Sequence, residues 1–168
     1  MKVSIITVCL NSKNTIKYTL NSVLSQNYKD IEHIIVDGGS TDGTIDILKK
    51  YTFTKKKIYF KRNRSLYSSI NFGIKKATGD LISILHSDDI YNNNYIIEKI
   101  ANIAKSSKHK IFFGNVVYFK RTNFQRITRF YPSANTSRKL FAFGNMPPHT
   151  GSFYKKEIFK NHGFYNIK

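Results

Sequence analysis

The sequence predicts a single α/β domain on a mainly parallel, doubly wound sheet. Three observations predict it. Apolar, β-branched runs alternate with segments of helical periodicity, and no repeat or low-complexity linker interrupts the alternation. Loops bearing acids or glycines stand at the ends of two of the runs, the edge on which open sheets of this kind bind ligands.

Taken in order, Val3 to Leu10 (VSIITVCL) is a continuous apolar run that suits a strand buried on both faces. Asn11 and Ser12 are expected to N-cap a first helix carrying Ile16, Leu20, Val23 and Leu24. Ile31 to Val36 predicts a second strand, which runs into Asp37-Gly38-Gly39-Ser40-Thr41-Asp42-Gly43. This loop of turn formers leads to a helix where Ile45, Leu48 and Tyr51 share a face. Lys55 to Lys57 reads as a solvated connection to a third strand, Ile58 to Phe60.

Leu66, Ile70, Ile74 and Ala77 form the stripe of a third helix stopped by Gly79. Leu81 to Leu85 is the fourth strand and ends at His86-Ser87-Asp88-Asp89. A helix over Tyr95 to Ala104 and a strand over Ile111 to Phe119 follow. Beyond Phe119, with Pro132, Pro147 and Pro148, the pattern predicts loops and short elements over the active edge, and a helix shared by Phe153, Glu157 and Ile158.

Composition narrows the class. A chain of 168 residues, 40% apolar with 13 Phe and 11 Tyr, can bury one sizeable core. Cys9 is the single cysteine and no Cys/His cluster has zinc spacing, so a cytoplasmic location is expected. No apolar run reaches membrane-spanning length, and the N-terminus lacks a signal-peptide cleavage site. Net charge is +18, unevenly spread: residues 1–104 hold 15 basic and nine acidic groups, residues 105–168 hold 13 basic and one acidic. Such a surface favours nucleic acid, anionic lipid headgroups or phosphorylated substrates. A coding bias toward Lys, Asn and Ile is the competing account of it.

In so basic a chain the adjacent Asp88 and Asp89 need a reason. One reading is a site for Mg²⁺ or Mn²⁺, hard cations that take one or two carboxylates and complete their shell with water and substrate phosphates. The other is helix capping ahead of Ile90-Tyr91-Asn92. Asp37-Gly38-Gly39 permits close backbone approach of a ligand, but no G-x-G-x-x-G accompanies it, so a nicotinamide site is a poor fit.

The ordered set V-S-I-I-T-V-x-x-N, I-I-V-D-G-G-S-T-D-G-T, L-Y-x-x-I-N-x-G-I-x-x-A-T-G-D and S-D-D-I-Y resembles the family-2 glycosyltransferases. The resemblance covers residues 2–98 closely, and returns at Pro148-His149-Thr150-Gly151-Ser152-Phe153-Tyr154 and Gly163-Phe164. It implies a Rossmann-like, A-type nucleotide-diphospho-sugar transferase fold, with a donor-binding half over residues 1–104 and an incomplete acceptor-side half over 105–168.

It further implies that Val8, Asn11 and Asp37 line a nucleoside pocket, with Gly38, Asn71, Ser87 and His149 in the same substrate-binding set. Asp88 stands for the family's DXD-type metal aspartate, holding Mn²⁺ or Mg²⁺, and Asp89 for its neighbour at the catalytic centre. Where the family usually has acids before its Asn-x-Gly helix, this chain has Lys61, Asn63 and Ser68. It has Leu10 in place of a first-strand aromatic and His86 two residues before Asp88. The family's catalytic base lies downstream of the G-F-x-x stretch, and the sequence stops at Lys168.

The expected function is therefore metal-assisted, inverting transfer of a sugar from a nucleoside-diphosphate donor to a glycan or lipid-linked acceptor hydroxyl. Peripheral contact with an anionic membrane at its inner face is expected with it. A truncated, inactive donor-binding relic is the alternative. A nucleic-acid binder using Lys120, Arg121, Arg126, Arg129, Arg138 and Lys139 is a further one; no recognisable module supports it, so no specific nucleic acid is expected.

Overall fold

The structure is a computed structural model describing residues 1–62, 65–120, 123–133 and 149–167. Asn63, Arg121, Arg138, Lys139, Pro147 and Pro148, singled out above, lie outside the described residues. The elements are, in chain order, β1 (Val3–Cys9), α1 (Ile16–Leu24), β2 (Ile31–Asp37), α2 (Thr44–Lys50), β3 (Lys56–Phe60), α3 (Leu66–Lys76), β4 (Leu81–Ile84), α4 (Ile96–Ser106), β5 (Ile111–Phe113), β6 (Val116–Lys120), β7 (Asn123–Tyr131), β8 (Ser152–Lys155) and α5 (Glu157–His162).

The continuous apolar run of β1 predicts burial on both faces, and every residue of β1, β2 and β4 is buried. They lie at the centre of a six-stranded sheet of order β3-β2-β1-β4-β8-β5. β1 pairs in parallel with β2 and β4, and β2 with β3. β8 enters antiparallel between β4 and β5, with Ile82 opposite Tyr154 and Ile111 opposite Tyr154 on the other side. The mixed α/β architecture with a mostly parallel sheet is the expected class.

Helices cover both faces. Val3 and Ile5 of β1 meet Val23 of α1 and Ile97, Ala101 and Ala104 of α4, and beside them Cys9 packs with Leu48 of α2. Ile6 and Val8 point the opposite way, onto Ile70 and Ile74 of α3 and Phe159 of α5. The two-residue period of β1 thus divides its side chains between two cores.

Several expectations are corrected. Asn11 and Ser12 do not cap α1, whose N-cap is Thr15 without a side-chain capping bond; their polar atoms bridge to neighbouring loops instead. α2 starts after Gly43, its N-cap, which is in the left-handed conformation. Leu66 opens α3 but is exposed, and the helix turns its burial onto Ser69, Ile70, Gly73 and Ile74. The run Ile111 to Phe119 is two strands, broken where Gly114 N–H donates to the Gly151 carbonyl at 2.7 Å. The second piece joins the nine-residue β7 in an antiparallel ribbon where loops were expected. Phe153 lies on β8, ahead of the helix that holds Glu157 and Ile158.

Candidate active site

The carboxyl ends of β1, β2 and β4 lie side by side, and the loops that leave them are tied into one edge. Asp37, the last residue of β2, is fully buried. One of its oxygens accepts from the backbone N–H of Gly39 and of Ser40, both at 2.9 Å, and the other from the Ser40 hydroxyl. Its carboxylate therefore moulds the loop after β2. The Cys9 thiol points at the same group at 3.5 Å, and burial first, then this negative neighbour, pushes the thiol far up from its ordinary range.

Asn11 adopts a φ of 50°, a left-handed conformation that Asn tolerates better than most residues. In that posture its backbone N–H reaches the Ser40 hydroxyl at 2.9 Å and its side-chain oxygen accepts from Thr41 N–H at 2.9 Å. Ser12 extends the stitching: its N–H donates to Thr44 Oγ1 at 2.8 Å and its hydroxyl meets that of Ser87 at 2.8 Å. Asn11, Asp37, Gly38 and Ser87 are thus brought together by bonds among the loops themselves.

At the end of β4 the chain makes a tight turn in which Asp89 N–H donates to the His86 carbonyl at 3.1 Å. Asp88 is exposed on that turn, whereas Asp89 is half-buried. Burial, then the charge of Asp88, pushes the Asp89 carboxyl up to about 6 against a backbone bond from His86. Among the described residues neither acid has an ion-pair partner, and a bound cation would offset the charge of both.

His86 reaches across the edge to His149, which precedes β8: Nε2 and Nδ1 are 3.4 Å apart and the rings stack at 5.5 Å. Burial holds both imidazoles below their ordinary pKa; Asp88 opposes this at His86, and His86 reinforces it at His149. His149 also meets the rings of Tyr67 and Tyr165 edge-on. Asn71 clamps the Tyr165 backbone, accepting its N–H at 3.0 Å and donating to its carbonyl at 2.8 Å. Asn71 thereby ties α3 to the segment that follows α5.

Val8 is 5% exposed and its side chain belongs to the α3-facing core, so what it can offer a ligand at the edge is backbone. The exposed neighbour is Leu10, 59% accessible, whose side chain lies over Gly38. Arg62 is a residue that the sequence reading did not single out. It packs across Gly39, where an added Cβ would come within 2.7 Å of the Arg62 Cγ, so the double glycine makes room for this cation. Gly39 also has a φ of 103°, which L side chains rarely adopt.

The family model for glycosyl transferase family 2 matches residues 4–163. The chain belongs to glycosyl transferase family 2. Among similar proteins, a cholesterol galactosyltransferase of Borreliella burgdorferi is 31% identical over 95% of this chain and 41% of its own length. The Escherichia coli UDP-Glc:alpha-D-GlcNAc-diphosphoundecaprenol beta-1,3-glucosyltransferase WfaP is 38% identical over 73% of this chain and 48% of its own length. The chain thus spans under half the length of these two relatives.

Among solved structures, residues 1–349 of Staphylococcus aureus TarS superpose with a TM-score of 0.78 at 22% identity, covering 100% of this chain and 51% of that one. The same TarS segment has been solved with UDP-GlcNAc. The mannosyltransferase PcManGT of Pyrobaculum calidifontis, solved with GDP-Man and Mn²⁺, gives 0.70 at 18% identity, covering 99% of this chain and 48% of that one. The fold of this family-2 chain is therefore the A-type glycosyltransferase fold.

Among the described residues no three His, Cys, Asp or Glu side chains converge as a ready-made metal cage. Asp88, exposed, and Asp89, half-buried beside it, offer carboxylate oxygens of the kind a hard cation takes together with water and phosphate.

Proposed function

We propose that this chain binds a nucleoside-diphosphate sugar along the joined ends of β1, β2 and β4 and transfers the sugar, with inversion, to a glycan or lipid-linked acceptor hydroxyl. The observation that carries the reading is the exposed Asp88, beside a second acid whose carboxyl is lifted to about 6, on the same edge as the Asp37 loop of a family-2 chain.

In this reading Leu10, Asn11 and the Asp37-Gly38 turn receive the nucleoside, with Asp37 holding the loop in shape. Asp88 holds Mn²⁺ or Mg²⁺, which when bound supplies Lewis-acid stabilisation of the charge that develops on the leaving diphosphate. Asp89 and Ser87 fix the turn that presents Asp88; Asn71 and His149 fix the aromatic wall beside it. Attack by the acceptor from the opposite face in a single displacement gives inversion. Membership of the family supports a sugar transferase, and the Mn²⁺ bound with GDP-Man in PcManGT supports the cation. The diphosphoundecaprenol acceptor in the name of WfaP supports a lipid-linked one here. A place at the cytoplasmic face of an anionic membrane follows from such an acceptor and the basic surface.

The test is calorimetric titration with UDP and GDP, with and without Mn²⁺, followed by a donor-hydrolysis assay. Binding is expected to require the metal and to weaken about tenfold or more in Asp88→Ala. Binding indifferent to Asp88→Ala would overturn the reading; metal-dependent binding with no turnover would leave a donor-binding module rather than an enzyme.

A further inference from the structure

None of the candidate site residues lies on the β6–β7 ribbon. Its two strands pair only with each other among the described sheets, outside the six-stranded sheet. Two strands alone are marginal in water and rely on a covering layer. The pairing register sorts the side chains by face: Val117 stands opposite Phe130 and, past a register shift after Tyr118 that changes the parity of β7, Phe119 stands opposite Ile127, so these four share one side. Ile127 and Phe130 remain 59% and 55% exposed on it.

The other side is basic and aromatic. Arg129 lies over the rings of both Tyr118 and Tyr131, at 5.9 and 5.0 Å, and Lys120 and Arg126 are exposed nearby. Stacking on its own tyrosines fixes the plane of the Arg129 guanidinium and leaves its N–H edge for an anion. No carboxylate occurs between Glu98 and Glu157, a stretch with twelve Lys and Arg. Nothing in this stretch of sequence offers a carboxylate to neutralise the ribbon's cations, and its apolar residues form the opposite face.

We propose that the β6–β7 ribbon docks on an anionic membrane surface, with Ile127 and Phe130 entering the headgroup boundary and Lys120, Arg126 and Arg129 on lipid phosphates. A lipid surface matches both faces at once: aliphatic Ile127 and Val117 suit acyl chains and have no stacking use toward a nucleobase, while anionic phosphates draw in the cations. This docking rests on the membrane placement proposed above and deepens it; vesicle binding reads the ribbon and UDP titration reads the donor site, so the failure of one is told from the failure of the other.

The experiment is co-sedimentation of the whole chain with phosphatidylcholine vesicles made with and without phosphatidylglycerol. Binding is expected only with the anionic lipid, weakening about fivefold for each cation removed in Arg126→Gln and Arg129→Gln. Ile127→Ser with Phe130→Ser is expected to weaken it on the order of tenfold, with UDP binding unchanged. The chain has no tryptophan, so Phe130→Trp gives a unique reporter. Its emission should shift to the blue on anionic vesicles and be quenched by lipid-borne quenchers.

Vesicle binding that ignores Ile127→Ser/Phe130→Ser, or a Phe130→Trp emission unchanged on bound vesicles, would overturn the proposal. So would displacement from vesicles by single-stranded RNA at equal phosphate, which would mark a nucleic-acid surface. Self-association lost in the Ile127→Ser/Phe130→Ser chain would also overturn it, by assigning the apolar face to a second copy.

Discussion

His33 stands at zero exposure in β2 between two hydroxyls, with Nε2 2.9 Å from Thr7 Oγ1 and Nδ1 3.1 Å from Tyr51 Oη. A neutral imidazole satisfies both contacts; a charged one would carry its charge into the core. Burial accordingly depresses its pKa to about 3, against 6.5 for an ordinary histidine. Because the unfolded chain binds this proton and the folded chain refuses it, stability is lost as pH falls from about 6.5 toward about 3, by about 1.4 kcal/mol per pH unit. His33→Gln can reach the same hydroxyls without titrating. Urea unfolding across that range should show a flatter pH dependence for His33→Gln than for the native chain; equal slopes would mean that His33 is accessible to protons in the folded state.

At the scale of elements, α3 shows how close packing outranks propensity. Gly73 sits inside the helix, where glycine costs about 1 kcal/mol relative to alanine. A Cβ there would come within 2.5 Å of the Ile6 Cγ2, a fully buried, β-branched side chain with little freedom to turn aside. Gly73→Ala is therefore expected to lower stability by about 1–2 kcal/mol, overpacking at β1 exceeding the helical gain. A lowered urea midpoint at unchanged slope is the outcome to look for; stabilisation would show that α3 has room to move.

The same elements show what the sequence makes readable. VSIITVC and IEHIIVD are long and wholly buried, so local pattern and tertiary environment agree on β1 and β2. Ile111 to Phe119 is equally apolar, yet its break depends on Gly151, 37 residues downstream of Gly114, and no local period records that contact. β8 is four residues long and owes its place to pairing with β4 and β5. In the site, acids at strand ends are local and were legible. The His86–His149 contact and the Asn71–Tyr165 clamp join residues 63 and 94 positions apart, and only the fold brings them together.

Across the whole molecule the sheet has two unlike edges. The carboxyl edge exposes Asp88 and carries the candidate chemistry; the opposite edge is tied down by Glu32. That buried carboxylate accepts from Ser4 of β1 at 2.6 Å, from the N–H and hydroxyl of Thr78 before β4 at 2.6 and 2.9 Å, and from Lys57 of β3 at 2.9 Å, with Lys2 at 3.4 Å. Burial alone would raise its pKa, but the hydrogen bonds from Ser4, Thr78 and Lys57 outweigh it and hold the group at about 2 instead of 4.5. Since the folded state keeps Glu32 ionised below its unfolded pKa, this contribution is complete above about 4.5 and vanishes as pH falls through about 2. Glu32→Gln removes the charge that gathers four segments and leaves Lys2 and Lys57 without it. Near neutral pH the variant should be less stable by about 2–3 kcal/mol, and near pH 2 it should converge with the native chain. Urea midpoints at the two pH values decide it: a deficit that persists undiminished in acid would mean that Glu32 holds this edge by shape rather than by charge.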